Sequence, residues 1–232
     1  MAVFVGGTAM DTTSLPIVLD NFADNDWKTI IWACQTGNVP DTWTVGSQKL
    51  MDIGVNEFAI DIIGLYHDDY ADGSGKAPIT FQMHDCYKKT FHASSHYNSS
   101  GWSGSYIRSN VVSEALGQMP RTVQGGIKKV NKLTSAGNKS DTIKTTEDTL
   151  FLLSEVEIFG SATNSKIGEG SQYAYYANGS STIKTMDGNS CSWSTRSPYG
   201  DDTKSYCLVD VEGNSGYQEA GYSHGVSFAF CF

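Results

Sequence analysis

The sequence predicts an α+β protein in which helices flank and largely precede a mostly antiparallel sheet. Three observations lead there. Apolar stripes at helix spacing, bounded by capping residues, occur in the first part of the chain (Trp27, Ile30, Ile31, Cys34; then Ile107, Val111, Ala115). From Cys191 onward the chain breaks into short aromatic or β-branched runs bounded by Gly, Pro, Asn or Asp. No apolar run approaches the roughly 18 residues that a membrane span needs.

The elements follow in order. Residues 1–22 lack a period and carry Gly6, Gly7 and Pro16, so they read as an attachment arm; 23–232 read as one domain. Asp24 and Asn25 are placed to cap a helix that Gly37 ends, with Pro40 beyond. Residues 57–65 and 79–84 read as largely buried strands, separated by a polar loop with Asp68, Asp69 and Asp72. Residues 105–116 suit a helix that Gly117 stops. Pro120 opens a second helix carrying Val123, Ile127 and Val130, weakened by Gly125 and Gly126. Residues 136–146 read as a polar loop and 150–159 as a strong strand. Residues 172–177 read as a short helix stopped by Asn178-Gly179. Two or three of these helices are expected to flank the sheet. In the strand after Ser205, Cys207, Val209 and Val211 share one face, expected to be buried; Leu208, Asp210 and Glu212 share the other, expected to face solvent.

Composition narrows the function. The 232-residue chain has a net charge of −9, with 12 Tyr, 10 Phe and 5 Trp. An acidic chain with no basic face argues against nucleic acid, whose binding rests on counterion release, and against anionic lipid. The Tyr bias favours a binding surface. Residues 1–10 lack a positive n-region, so no signal peptide is expected. Five scattered cysteines show neither a Cys-x-x-Cys pair nor zinc spacing and read as buried thiols in a reducing compartment. A Cys207–Cys231 bridge across neighbouring strands is the alternative.

Several strings together carry a resemblance. They are Trp32-Ala-Cys-Gln, Gly101-Trp-Ser-Gly-Ser with Ile107-Arg108, Met119-Pro120, the 145–160 stretch around Ser154-Glu-Val-Glu157, Gly168-Glu-Gly-Ser-Gln-Tyr-Ala-Tyr-Tyr176, Trp193-Ser-Thr-Arg-Ser-Pro198, and Gly225-Val-Ser-Phe-Ala-Phe-Cys231. The chain resembles an uncharacterised domain family of bacterial surface proteins and phage tail proteins. Its C-terminal half resembles the C-type-lectin fold of the variable proteins of diversity-generating retroelements. That resemblance implies ligand contacts at Lys204, Leu208, Asp210, Glu212, Asn214, Tyr217, Gln218, Tyr222 and His224. It implies a fixed frame of Cys207, Val209, Gly213, Gly225, Val226 and Phe228. Tyr199 joins the expected ligand surface as a rigid aromatic beside it.

Other chemistry fits less well. His92 and His96 are spaced for a shared zinc only on a helix, and their surroundings read as loop. The Asp68–Asp72 loop lacks the EF-hand pattern. The calcium-site tripeptides of sugar-binding C-type lectins are absent. Trp102 and Trp193 read as packing rather than sugar platforms. Arg196 reads as a ligand clamp or as a loop tie through carbonyl bonds. No catalytic residue, metal or cofactor is therefore expected. The expected function is a receptor-binding or adhesin module, the tip of a phage tail fibre or a related virion protein made in the host cytoplasm. Its partners would be a host-surface protein or glycan, other tail proteins through the arm, and further copies of itself, without nucleic acid or membrane insertion. The competing expectation is an enzyme resembling the formylglycine-generating oxidases, with Cys207 and Cys231 as its metal-holding pair.

Overall fold

The computed structural model describes residues 15–232. Residues 1–14, most of the expected arm, lie outside the described residues. The strands are β1 Gln48–Ile53, β2 Asn56–Leu65, β3 Ile79–Met83, β4 Lys88–Thr90, β5 Val130–Ser135, β6 Ile143–Asp148, β7 Lys184–Met186, β8 Asn189–Cys191, β9 Trp193–Pro198, β10 Ser205–Val209, β11 Ser215–Glu219, β12 His224–Val226 and β13 Ala229–Cys231. The α-helices are α1 Trp27–Thr36, α2 Val112–Gln118, α3 Arg121–Gly126, α4 Glu155–Phe159 and α5 Ala174–Ala177. Among the described residues the fold is mixed α/β with mostly antiparallel sheets. It has five α-helices where two or three were expected.

Two sheets dominate. One has the order β1-β2-β3-β13, so the last strand of the chain closes on the first three. The other has the order β11-β10-β9-β12-β4 and is antiparallel except where β12 runs parallel to β9. Hairpins β5-β6 and β7-β8 complete the set. Phe81 stands at the centre of the first sheet's core: Phe22, Phe230 and Phe232 have ring centroids 6.0, 5.4 and 5.3 Å from it. Phe22 thus belongs to the core, and Leu19 is tied to the body through Asn25 and the Trp43 indole.

Local chemistry explains the elements and the corrections. Helix α1 forms as expected, but its cap is Asp26, whose carboxylate accepts from the Thr29 N–H at 2.7 Å; Gly37 closes it at φ 72°. Strand β1 lacked a strong pattern because half of its residues face solvent. The helix expected over 105–116 opens with a π-helical segment, Ile107–Val111, and runs through Gly117 to Gln118. Helix α3 stops at Gly126, and Val130 begins β5 instead of extending it. Gly126 lets α3 approach α1: a Cβ there would lie 2.7 Å from Ile31 Cδ1. The last four residues of the expected 136–146 loop begin strand β6, a polar strand that pairs with β5 in a two-stranded sheet. The expected strand over 150–159 is a buried extended segment joined to Ala229 by one bridge, followed by helix α4. Ser154 and Glu157 form a capping box, which turns the chain into a helix.

A buried charge network joins these parts. Arg196 of β9 is fully buried. Its guanidinium meets both carboxylate oxygens of Glu157. It also donates to the carbonyls of Leu152 (2.9 Å), Leu133 (3.0 Å) and Glu169 (3.1 Å) and to the Thr134 hydroxyl (2.9 Å). Lys132 of β5 lies 2.6 Å from Glu157 and 2.7 Å from Asp68, donates to the Tyr173 hydroxyl at 3.1 Å, and stands 4.3 Å over the Phe151 ring. Burial alone would raise the Glu157 carboxyl, but Arg196 and Lys132 hold it below its ordinary value. Asp68 likewise resists burial through Lys132 and sits at about 2. Arg196 is therefore a tie between elements, not a ligand clamp. Replacing Arg196 with Met would leave the buried Glu157 carboxylate paired with Lys132 alone and should cost about 3 kcal/mol. Adding Glu157→Leu should recover part of that loss. Urea midpoints of the single and double variants check this.

Candidate functional site

The expected ligand surface is built on the hairpin β10-β11 and its two flanking loops. Six of its residues are exposed: Lys204, Glu212, Asn214, Tyr217, Gln218 and Tyr222. Tyr199, Asp210 and His224 are partly buried, and Leu208 is buried. The parity expected for this strand holds at Cys207, Val209 and Glu212 and fails at Leu208 and Val211. Every residue of β10 is buried, because the sheet is covered on both faces; Leu208 is therefore core, not a contact. Val211, expected inside, is 43% exposed because the strand has already turned at Asp210.

The structure sorts the remaining residues into three groups. In the first, the Tyr199 and Tyr217 rings stack with centroids 3.9 Å apart and planes within 4°. Tyr217 is half-exposed on β11, the edge strand of the five-stranded sheet. Lys204 ends the loop that starts at Tyr199. This loop is fixed from below by Asn98, which sequence reasoning missed. Asn98 is fully buried and donates from its amide to the carbonyls of Tyr199 (3.4 Å), Asp202 (3.2 Å) and Ser205 (2.9 Å), while its oxygen accepts from the Asn138 N–H. Asp202 accepts from the Lys204 and Ser205 N–H groups at 2.8 and 2.7 Å. A loop held this way loses little freedom on binding. The only sequence signal for Asn98 was its place among Ser and Gly residues, which looks the same as any turn.

The second group is the turn Asp210, Glu212 and Asn214. Asp210 Oδ1 accepts from the N–H groups of Glu212 (3.0 Å) and Asn214 (2.8 Å), so this carboxylate shapes the turn rather than waiting for a ligand. The third group, Tyr222 and His224, lies at the other end of β11, beside His96, whose ring is 3.9 Å from the Glu219 carboxylate. Gln218 pairs with Tyr206 while Tyr217 pairs with Cys207, so these two neighbours point to opposite faces. The ten residues therefore do not form one patch. Tyr199 and Tyr217 are the two of the ten whose rings stack on each other.

The other chemistry resolves as follows. His92 is buried and stacks on Tyr206 at 3.9 Å; neither ring nitrogen has a partner, and His96 is exposed elsewhere. Asp68 is taken by Lys132, Asp69 pairs with Lys76 at 3.2 Å, and Asp72 accepts from the Ser74 N–H, so the loop's carboxylates diverge. Trp102 and Trp193 are core, donating to Asp148 and to the Thr182 carbonyl. All five cysteines are free and buried, and Cys207 and Cys231 lie in different sheets, which excludes a bridge between neighbouring strands. Burial pushes both of those thiols well up, away from nucleophilic thiolate. A depression of about 310 Å³ over the charge network is lined by His67, Asn131, Lys132 and Ser171 among others. The Lys132 ammonium there is engaged by Asp68, Glu157 and the Tyr173 hydroxyl.

Residues 78–232 match the family described as Domain of unknown function (DUF6273). No curated protein and no solved structure matches the chain.

Two buried groups give opposite pH responses. Burial, with His224 nearby, lowers His92 from 6.5 to about 3. Its contribution is present above pH 6.5 and is lost as pH falls towards 3. Burial raises Glu169 from 4.5 to about 7. Its contribution is present below pH 4.5 and is lost as pH rises towards 7. Between pH 4.5 and 6.5 the two oppose each other. Relative to the parent, His92→Phe should give a urea midpoint that falls more steeply as pH rises through this window. Glu169→Gln should give one that rises more steeply.

Proposed function

The chain belongs to the DUF6273 family, and we propose that it is a receptor-binding or adhesin module with a C-type-lectin-like fold. It binds its ligand without chemistry, at the surface centred on Tyr199 and Tyr217. The observation that carries this reading is the stack of half-exposed Tyr217, on an edge strand, with partly buried Tyr199, on a loop pinned by Asn98 and Asp202. Rigid aromatic contact area of this kind binds at low entropic cost.

The C-type-lectin reading draws support from topology: β13 returns to the sheet of the first three strands, and strands β9 to β12 build the second sheet. Asp201, Glu212 and Glu219 stand against Lys204, so the receptor patch is neutral or basic. In the full reading the module tips a phage tail fibre or related virion protein made in the host cytoplasm. It binds a host-surface protein or glycan as an oligomer, and the N-terminal arm, whose last residue Phe22 is packed in the domain core, attaches it to other tail proteins. The thiols that the enzyme alternative relied on lie in different sheets, and burial pushes both well up, which disfavours it.

The test uses a monomeric form of the chain on a glycan array and on a panel of bacterial cells, because multivalency masks losses at a single contact. Tyr199→Ala with Tyr217→Ala should weaken binding roughly a thousandfold, from about 2 kcal/mol per anchor, with circular dichroism unchanged. Unchanged binding by this variant would move the receptor surface elsewhere.

A further inference from the structure

The sulfur atoms of Cys86 and Cys191 lie 3.2 Å apart, although 105 positions separate them in the chain. Cys86 lies on the segment joining β3 to β4, and Cys191 ends β8. That segment is already docked on the β7-β8 hairpin. The Cys86 N–H donates to the Thr185 carbonyl at 2.9 Å. Asp85 Oδ1 accepts from the Thr185 N–H and hydroxyl at 2.7 and 2.8 Å.

Two more features belong to the pair. Lys184 stands directly opposite Cys191 in the hairpin, and its ammonium donates to the Met83 and His84 carbonyls at 2.7 and 2.8 Å. Burial pushes the Cys86 thiol up, and the Lys184 ammonium works against that rise. Gly225 makes room for both sulfurs: a Cβ there would lie 2.4 Å from Cys86 Sγ and 3.0 Å from Cys191 Sγ. The other thiols differ. Cys231 Sγ has oxygens of Asp68 and Thr80 as its polar neighbours, at 3.8 and 3.6 Å.

We propose that Cys86 and Cys191 are a redox pair that a small-molecule disulfide oxidises to an internal bond, locking the β3–β4 segment to the β7-β8 hairpin. Closing it needs a sulfur movement of about 1 Å. One cysteine, as thiolate, attacks a sulfur of the small disulfide and releases the first small thiol. The second cysteine then attacks the mixed disulfide and releases the other. The protein loses two protons and two electrons, and one small disulfide becomes two small thiols. Access comes through the hairpin, whose residues Asp187 to Ser190 are exposed and whose strands pair only with each other.

The experiment incubates the full-length reduced chain, under native conditions, with graded ratios of oxidised to reduced glutathione. It then blocks free thiols in denaturant and maps the peptides by mass spectrometry. The expected product has lost two hydrogens, keeps three of the five thiols, and carries a Cys86–Cys191 peptide pair. Cys86→Ser and Cys191→Ser should each stop at a glutathione adduct on the remaining partner, while Cys34→Ser should still close the bond. Five free thiols at every ratio, a bond between other cysteines, or a persistent glutathione adduct on the parent chain would each overturn the proposal. If a Ser variant fails to fold, the parent chain's peptide map still decides.

Discussion

The buried carboxylate of Glu157 receives the Arg196 guanidinium from β9, the Lys132 ammonium from β5 and the Ser154 N–H from its own helix start. Three elements distant in sequence converge on two oxygen atoms. Taking such charges out of water costs several kcal/mol per ion, and only complete pairing offsets it. Here the pairing extends further: Arg196 also donates to the carbonyls of Leu133, Leu152 and Glu169. The network therefore acts less as a source of stability than as a constraint on arrangement. Any packing that separates β5, β9 and α4 leaves a bare charge in the core.

The stretches that carry the resemblance also supply this network. The 145–160, 168–176 and 193–198 strings supply Glu157, Glu169, Tyr173 and Arg196, all buried in one place. The segment 101–108 supplies Trp102 and Arg108, which both meet Asp148, at 3.0 and 2.6 Å. These signatures are about architecture. The surface proposed to bind lies on the hairpin beside them, where Lys204, Glu212, Asn214, Tyr217, Gln218 and Tyr222 make few demands on the frame.

Strong local signals were legible in the sequence. The stripe from Trp27 to Cys34 with Gly37 beyond it, the apolar runs of β2 and β3, and the C-terminal strands all have periods that a single sequence displays. Errors came where tertiary context decides. Leu150 to Leu153 are apolar enough for a strand, but the capping box at Ser154 turns the chain into a helix. The alternation at Cys207 to Val211 assumed one wet face, whereas both faces of β10 are covered. Within the candidate site, exposure at Lys204, Glu212, Tyr217 and Tyr222 followed from polarity and turns. The Tyr199–Tyr217 stack and the supporting role of Asn98 did not, because both depend on contacts between residues far apart in the chain.

A proteolysis-coupled scan of all single substitutions tests the separation of frame from surface most directly. The account predicts that Glu157, Arg196, Lys132 and Leu208 accept almost no change. It predicts that Lys204, Glu212, Asn214, Tyr217, Gln218 and Tyr222 accept most changes without loss of folding. Free substitution at Glu157 and Arg196, or surface positions as intolerant as those two, would contradict it.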